Sequence, residues 1–285
     1  MKPQMHPHER PWKGFSSPRS ALGGSALVEP APHHIACDAL HVTFRADPAR
    51  IRFFLPPGME PVDEGTGWVM IGEMTKISVA DPDQYWRNPA RSNYNECVLG
   101  FNVRFGELRG RFSPLVWVDR DWSLGMGQIM GWGKRLATVE RSRLNDAHPG
   151  IPPLGRGARV GGIVIRNGAT VIRADVALGE NAAPLESLPA YGATTFVYRY
   201  LASPGPGIPE VNQLLELPLA NVRMAGVWRG TPSLHRGSAD NEELDRLGPV
   251  EVLEGYLYRR GWTLDRKARL LRDYAVHGFD SKEER

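Results

Sequence analysis

Two β-branched runs, Arg159-Val160-Gly161-Gly162-Ile163-Val164-Ile165-Arg166 and Ala169-Thr170-Val171-Ile172-Arg173-Ala174-Asp175-Val176, flank a single Asn167-Gly168 pair. β-Branched side chains fit a pleated, half-buried surface. Asn-Gly supplies the two left-handed positions of a type I′ turn, whose twist matches that of paired strands. The segment therefore reads as an antiparallel hairpin, and the rest of the chain must supply the sheet it joins.

Strand-like stretches recur along the chain. In Leu40-His41-Val42-Thr43-Phe44, the residues Leu40, Val42 and Phe44 share one face. Trp68 to Val79, Tyr94 to Phe105, Leu115 to Val118, Thr194 to Leu201 and Val222 to Trp228 have similar character, and Val250 to Trp262 reads as a strand or a short helix. Asp47-Pro48 forms an N-cap and first helical position. It opens a short helix through Ile51 and Phe54 that stops before Pro56-Pro57-Gly58. Pro82 to Asn93 is polar and reads as a loop. With 31 Gly and 24 Pro in 285 residues, turns and short strands are favoured over long helices. No repeat or linker divides the chain. The expected fold is mainly β (α+β): a curled antiparallel sheet forming a cone-like β-barrel core, with a few peripheral helices.

Several function classes fall away. The 35 basic residues face 32 acidic ones, a net charge of +3 with no dense basic stripe, so no nucleic-acid partner is expected. Cys37 and Cys97 make neither a disulfide framework nor a metal knuckle, and read as reduced thiols of a cytoplasmic protein. No apolar run approaches the ~18–20 residues of a membrane span. Met1 to His8 does not resemble a signal peptide. His6, His8, His33 and His34 lie on a proline-rich arm and are expected to be solvated, so no metal is assigned. His148, His235 and His277 are isolated, and no Ser-His-Asp set is evident. Gly125-x-Gly127-x-x-x-Gly131 resembles a dinucleotide loop, but the residues after it do not read as the required helix. No cofactor is expected; the glycines are read as allowing close approach of a ligand or another strand.

Only 6 of the 35 basic residues are lysine. Lys134 follows the apolar run Met126-Gly127-Gln128-Ile129-Met130-Gly131-Trp132-Gly133 and precedes Arg135. Apolar surroundings and a neighbouring cation both disfavour a charged ammonium. A neutral lysine is a nucleophile that forms a Schiff base with a carbonyl, a job the guanidinium of arginine cannot do. The competing reading is a lysine at a strand start with its head in solvent. Glu96, in Tyr94-Asn95-Glu96-Cys97, opens an apolar strand as a carboxylate at a sheet mouth.

Taken in order, several segments resemble the acetoacetate decarboxylase superfamily, with the departures expected of a divergent member. Trp132-Gly133-Lys134-Arg135-Leu136 falls in the frame of the family's aromatic-Pro-Lys-Lys-Leu segment. Leu55-Pro56-Pro57-Gly58-Met59-Glu60-Pro61, Tyr94-Asn95-Glu96, Trp228 to Leu234 and Leu270 to Tyr274 fit the same template. The likeness spans residues 36–275, leaving 1–35 as an irregular N-terminal arm and 276–285 as a C-terminal tail. It implies that Lys134 is the Schiff-base lysine. The family's second lysine becomes Arg135, its proline Gly133, and its Gly-Arg-Glu Met126-Gly127-Gln128. The family's first-strand arginine, near the substrate carboxylate, falls on or near Cys37.

The implied activity is a Schiff-base lyase on a small or medium oxo acid, by decarboxylation of a β-keto acid. Aldolase/dehydratase or hydratase chemistry on 2-oxo acids through the same lysine is the alternative, and a non-catalytic ligand-binding barrel is a third reading. Catalytic candidates are Lys134, Glu96 (positioning Lys134 or moving protons) and Arg135 (lowering the charge on Lys134). Substrate-binding candidates are Trp132, Met130, Gln128 and Tyr94. The resemblance also implies a homo-oligomer.

Overall fold

Strand β1 (His33–Ala46) is the spine of a computed structural model that describes residues 11–181, 194–205, 207–265 and 267–277. The strands that follow are β2 (Met59–Pro61), β3 (Thr66–Ser78), β4 (Asn93–Phe105), β5 (Leu108–Val118), β6 (Lys134–Leu136), β7 (Thr138–Arg141), β8 (Arg159–Arg166) and β9 (Ala169–Asn181). After these come β10 (Thr194–Leu201), β11 (Val211–Leu217), β12 (Ala220–Arg236), β13 (Val250–Leu264) and β14 (Arg269–Asp273). The helices are α1 (Pro48–Ile51), α2 (Gln84–Arg87), α3 (Asp121–Met130) and α4 (Tyr274–His277). None of the described helices is long and apolar enough to cross a membrane.

The strands form one sheet in the order β14-β11-β10-β5-β4-β3-β1-β13-β12-β9-β8-β7, with β2 added to β4 and β6 to β5. Pairing is antiparallel except where β10 and β6 meet β5. The sheet is curled, as expected, but it does not close into a barrel. Its end strand β7 packs across β3, β4 and β5 instead of pairing with β14. Asn95 Nδ2 donates to the Val139 carbonyl at 3.0 Å, and a Cβ at Gly162 would meet Ile71 side-chain atoms at 2.8 and 2.9 Å. Register shifts in β1, β4, β8 and β12 add twist and bend. One end of the sheet is thereby turned onto the face of its middle, away from the opposite edge.

Local expectations fare well where turn chemistry is strong. Asn167 and Gly168 have φ of 50° and 79°, as a type I′ turn requires. The Asp47 carboxylate accepts from Ala49 N–H at 2.8 Å and starts α1 with Pro48. Val250 to Trp262 is strand throughout. The polar stretch before Asn93 contains α2 and a 3-10 turn. The Gly-rich run is different from its reading: Gly125 and Gly127 lie inside α3. Trp122, Met126 and Met130, spaced four apart, are all buried and hold α3 against the sheet despite the low helix propensity of glycine. Gly131, at φ 97°, ends the helix in the left-handed conformation.

Alternation along the strands divides the interior in two. Leu40, Val42, Phe44, Ile71, Leu99 and Trp117 enter the core beneath the curl. On the other face, Cys37, Ala39, Trp68, Met70, Met74, Val98 and Val116 pack with Trp122, Met126 and Met130 of α3. The arm is irregular but tied down. Glu29 accepts from Lys76 Nζ at 2.5 Å, Gln84 Nε2 at 2.8 Å and Arg91 at 2.5 Å. His33 is buried, not solvated, with Nε2 at 2.9 Å from the Glu29 carbonyl, and His34 Nδ1 meets Thr263 Oγ1 at 3.0 Å. His6, His8 and most of the proposed tail lie outside the described residues.

Candidate active site

The second face of the sheet carries a buried ion pair. Lys134 begins β6, which runs parallel to β5 with Lys134 beside Val116. Its Nζ donates to Glu96 Oε2 at 2.7 Å and to Ser123 Oγ at 3.0 Å, and only 3% of the lysine side chain is exposed. The stem reaches this position because residue 127 is glycine. A Cβ there would lie 2.6 Å from Lys134 Cγ, 2.8 Å from its Cδ and 2.7 Å from the Trp132 carbonyl oxygen. Hydrogen bonds from Gly131 and Trp132 N–H to the Gly127 carbonyl, at 2.8 and 2.9 Å, turn the chain from α3 into β6.

Aromatic rings enclose the amine. Nζ lies 5.3 Å from the Tyr94 ring centroid and 5.9 Å from that of Trp132, and Tyr94 packs edge-on against Trp122 at 5.1 Å. Burial holds the Tyr94 phenol well above its usual range, the nearby Glu96 carboxylate adds to this, and a hydrogen bond with Ser123 opposes it. Ser123, fully buried in the first turn of α3, thus links Tyr94 to Lys134. Tyr94 also lines a cavity of ≈ 770 Å³ together with Cys37, Met74, Met224 and Arg260.

Four of the sequence candidates, Lys134, Glu96, Tyr94 and Trp132, meet here, and Met130 packs in the surrounding apolar cluster. Two do not join them. Gln128 is exposed on α3. Arg135, the next residue of β6, turns to the opposite face, where its Nη1 donates to Glu242 Oε2 at 2.9 Å. Trp117 Nε1 reaches the same oxygen at 2.9 Å, and Arg166 pairs with Oε1. The expected Arg135 repulsion of Lys134 is therefore corrected: strand alternation separates the two heads, and a carboxylate answers the guanidinium.

Farther across the same face lies a second polar group that the sequence reading missed. His41 is buried, stacks on Trp68 at 5.6 Å, and has Nδ1 3.1 Å from Tyr258 Oη. Burial lowers the imidazole to about 3, and the charges of Arg111 and Arg260 add to that, so the ring is neutral at pH 7. Arg111 lies over Trp68 at 5.8 Å and Arg260 over Trp262 at 5.3 Å. Burial, followed by Arg260, lowers Arg111 to about 10. Cys37, next to Arg260 on the neighbouring strand, has a thiol raised by burial to about 12, so it is protonated at pH 7 and offers no nucleophile. No group of three or more potential metal ligands occurs among the described residues.

A buried primary amine in contact with a carboxylate and a hydroxyl has the parts for carbonyl addition and local proton transfer. The family model described as acetoacetate decarboxylase (ADC) matches residues 16–275. An acetoacetate decarboxylase-like enzyme from Sphingomonas wittichii RW1 superposes with a TM-score of 0.85 at 31% identity, over 91% of this chain and 99% of that one. The enduracididine biosynthesis enzyme MppR, complexed with the condensation product of pyruvate and imidazole 4-carboxaldehyde, gives 0.84 at 26% identity, over 93% and 98%. A structure of acetoacetate decarboxylase itself shares the fold at 0.73 with 16% identity, over 92% and 96%. No curated protein matches the sequence. With a family match over nearly the whole chain and a shared fold, the chain belongs to the acetoacetate decarboxylase family.

Proposed function

We propose that the chain is a Schiff-base lyase acting on small oxo acids through Lys134, with aldol condensation and dehydration of a pyruvate-like 2-oxo acid as its reaction. The observation that carries the reading is the 2.7 Å contact between Lys134 Nζ and Glu96 Oε2 in a buried, ring-lined site. Glu96 accepts a proton from the ammonium, freeing the lone pair to attack the carbonyl carbon. It returns the proton to the hydroxyl, which leaves as water when the imine forms. The protonated imine draws electrons from the adjacent C–H bond, a base removes that proton, and the enamine adds to an aldehyde. Loss of water and hydrolysis of the imine release the product and restore the amine.

Condensation takes precedence over β-keto acid decarboxylation because MppR, whose structure holds a pyruvate condensation product, shares 26% identity. The decarboxylase likeness at 16% concerns fold alone. Decarboxylation, the leading expectation from sequence, would pass through the same imine, which receives the electron pair left behind as CO₂ departs. Trp132, Met130 and Tyr94 shield the imine from water in either reaction.

The deciding experiment offers acetoacetate in one vessel and pyruvate with imidazole 4-carboxaldehyde in another. It measures CO₂ release and the mass of the organic product. A dehydrated condensation product without CO₂ release supports the proposal; CO₂ from acetoacetate alone favours decarboxylation. A binding module would give neither product and would keep its ligand after Lys134→Ala.

A further inference from the structure

Arg111 and Arg260 are the least explained charges on the face that carries Lys134. Among the described residues, neither has a carboxylate or any other hydrogen-bond acceptor as a partner. The Nε–H groups of both are buried without an acceptor, as is the indole Nε1–H of Trp68, over which Arg111 lies. His41, 3% exposed, has an unpartnered Nε2 between them. The imidazole and the Tyr258 phenol each feel the charge of both guanidiniums. The two guanidiniums feel one another's charge, and with no acid in contact with either they repel and forfeit hydration. Elsewhere this chain answers its part-buried cations: Arg135 and Arg166 share Glu242, and Lys76 has Glu29. Donors left over, cations without acids and a neutral ring between them describe an anion site.

The group is reachable through Arg260, which lines the ≈ 770 Å³ cavity that Tyr94 also borders. The acids on that cavity's wall are already engaged: Asp38 and Glu73 pair with Arg141, and Asp119 accepts from the Asn95 N–H. Cys37 feels the charges of both Arg260 and Glu96, so the two ends of the site lie within electrostatic reach of one thiol. They are nevertheless apart. Lys134 is in register with Val116, Val116 with Val98, Val98 with Met70 and Met70 with His41. Those four steps of roughly 4.8 Å put His41 about 19 Å of sheet contour from Lys134, and Arg111 stands five residues along β5 from Val116, about 17 Å at roughly 3.3 Å per residue; the curl and the long lysine and arginine stems shorten both. An anion held at Arg111 and Arg260 therefore sits across the floor from the amine, too far to be the carboxylate directly bonded to the carbonyl carbon.

We propose that Arg111 and Arg260, with Trp68 and His41, form a carboxylate subsite that selects substrates carrying an acid group remote from the carbonyl that meets Lys134. Such a carboxylate has two possible sources: the far end of an oxo diacid, or an acidic acceptor aldehyde.

The substrate assignment rests on the Schiff-base reading, so the test begins with a ligand that cannot form an imine. Binding of glutarate is measured by calorimetry with the full chain, Arg111→Gln, Arg260→Gln, and the charge-keeping Arg111→Lys and Arg260→Lys, each checked by circular dichroism. The expected result is glutarate binding weakened about tenfold or more in each Gln variant, the loss of a charge-assisted pair. The Lys variants, which keep charge but lose the planar fork, should fall between. Failure of the natural protein to bind glutarate, or equal binding by the folded variants, overturns the subsite. Borohydride trapping then compares 2-oxoglutarate with 2-oxopentanoate, and product yield from pyruvate compares succinic semialdehyde with butanal. Preference for the acid in the first pair assigns an oxo diacid, in the second an acidic acceptor, and no preference in either overturns the selectivity. If arginine-dependent glutarate binding persists but no oxo acid is trapped on Lys134, the imine reading falls and the anion site stands.

Discussion

Replacing Gly127 with alanine should injure the site, whereas the same change at Gly125, two residues away on the same helix, should not. A Cβ at 127 would lie 2.6 Å from Lys134 Cγ and 2.7 Å from the Trp132 carbonyl oxygen, well inside contact distance. Relief must come either from the lysine stem, which carries Nζ away from Glu96, or from the Trp132 peptide, which is held in the turn out of α3. Overpacking of one methyl costs about 1–3 kcal/mol, while glycine-to-alanine in a helix returns about 1 kcal/mol. The net is a loss of roughly 0–2 kcal/mol, or a fall in Tm of up to about 4 °C for a chain of this size. At Gly125 a Cβ would find its nearest neighbours, Leu27 Cδ1 and Val28 Cγ2, at 3.7 Å. Gly125→Ala should therefore raise Tm by about 2 °C. Reductive trapping of pyruvate should fall about a hundredfold in Gly127→Ala, as expected for a reacting group displaced by about 1 Å, and stay unchanged in Gly125→Ala. Equal trapping in the two variants, or equal destabilisation, would refute the claim that Gly127 makes room for the lysine.

Three other perturbations test separate parts of the account. Glu96→Gln should lower condensation turnover strongly while leaving an adduct detectable after long exposure to borohydride; unchanged turnover would remove Glu96 from proton transfer. Glu242→Ala leaves Arg135 and Arg166 without their shared carboxylate and should cost on the order of 3 kcal/mol, read as a fall in Tm, with a shift under 2 °C arguing against it. Burial alone would raise the Glu29 carboxyl, but the hydrogen bond and charge of Lys76, helped by Gln84, outweigh it and hold it at about 2 against an ordinary 4.5. A depressed carboxyl contributes stability above its unfolded pKa that is lost as pH falls through the folded one. Hydrogen-exchange protection in residues 13–30, measured against the intrinsic exchange rate at each pH, should fall as pH drops from about 4.5 to 2, and Glu29→Gln should abolish that step.

Much of the sheet was legible because its signals are local. Asn167-Gly168, the alternation of Leu40, Val42 and Phe44, and the Asp47-Pro48 cap each act within a few residues, and each holds. Helix α3 was hidden because Gly125 and Gly127 lower its intrinsic propensity. Its stability comes from Trp122, Met126 and Met130 against the sheet, a contact that only the folded chain supplies. The four-residue spacing of those side chains was the available clue, and it also points to Ser123. Lys134 and Glu96 could be picked out as residues, yet their pairing joins β6 to β4 across β5. Arg135 was misjudged by treating a sequence neighbour as a spatial one, although a strand start at Lys134 already sends the next side chain to the other face. Lys76, within the strand-like stretch Trp68 to Val79, is fully buried because the arm delivers Glu29 to it, a contact that local sequence does not announce. Arg111, Arg260 and His41 come from three strands with no common motif, so only the register of β1, β5 and β13 brings them together.

The central claim is that Lys134 is an imine-forming amine. It is tested most directly by incubating the protein with pyruvate and, separately, with acetoacetate, reducing with borohydride, and mapping the modified lysine by peptide mass. The account predicts one stoichiometric adduct at Lys134, stronger with pyruvate and absent from Lys134→Ala. No adduct with either oxo acid, or an adduct at Lys76 or a surface lysine that persists in Lys134→Ala, would contradict it.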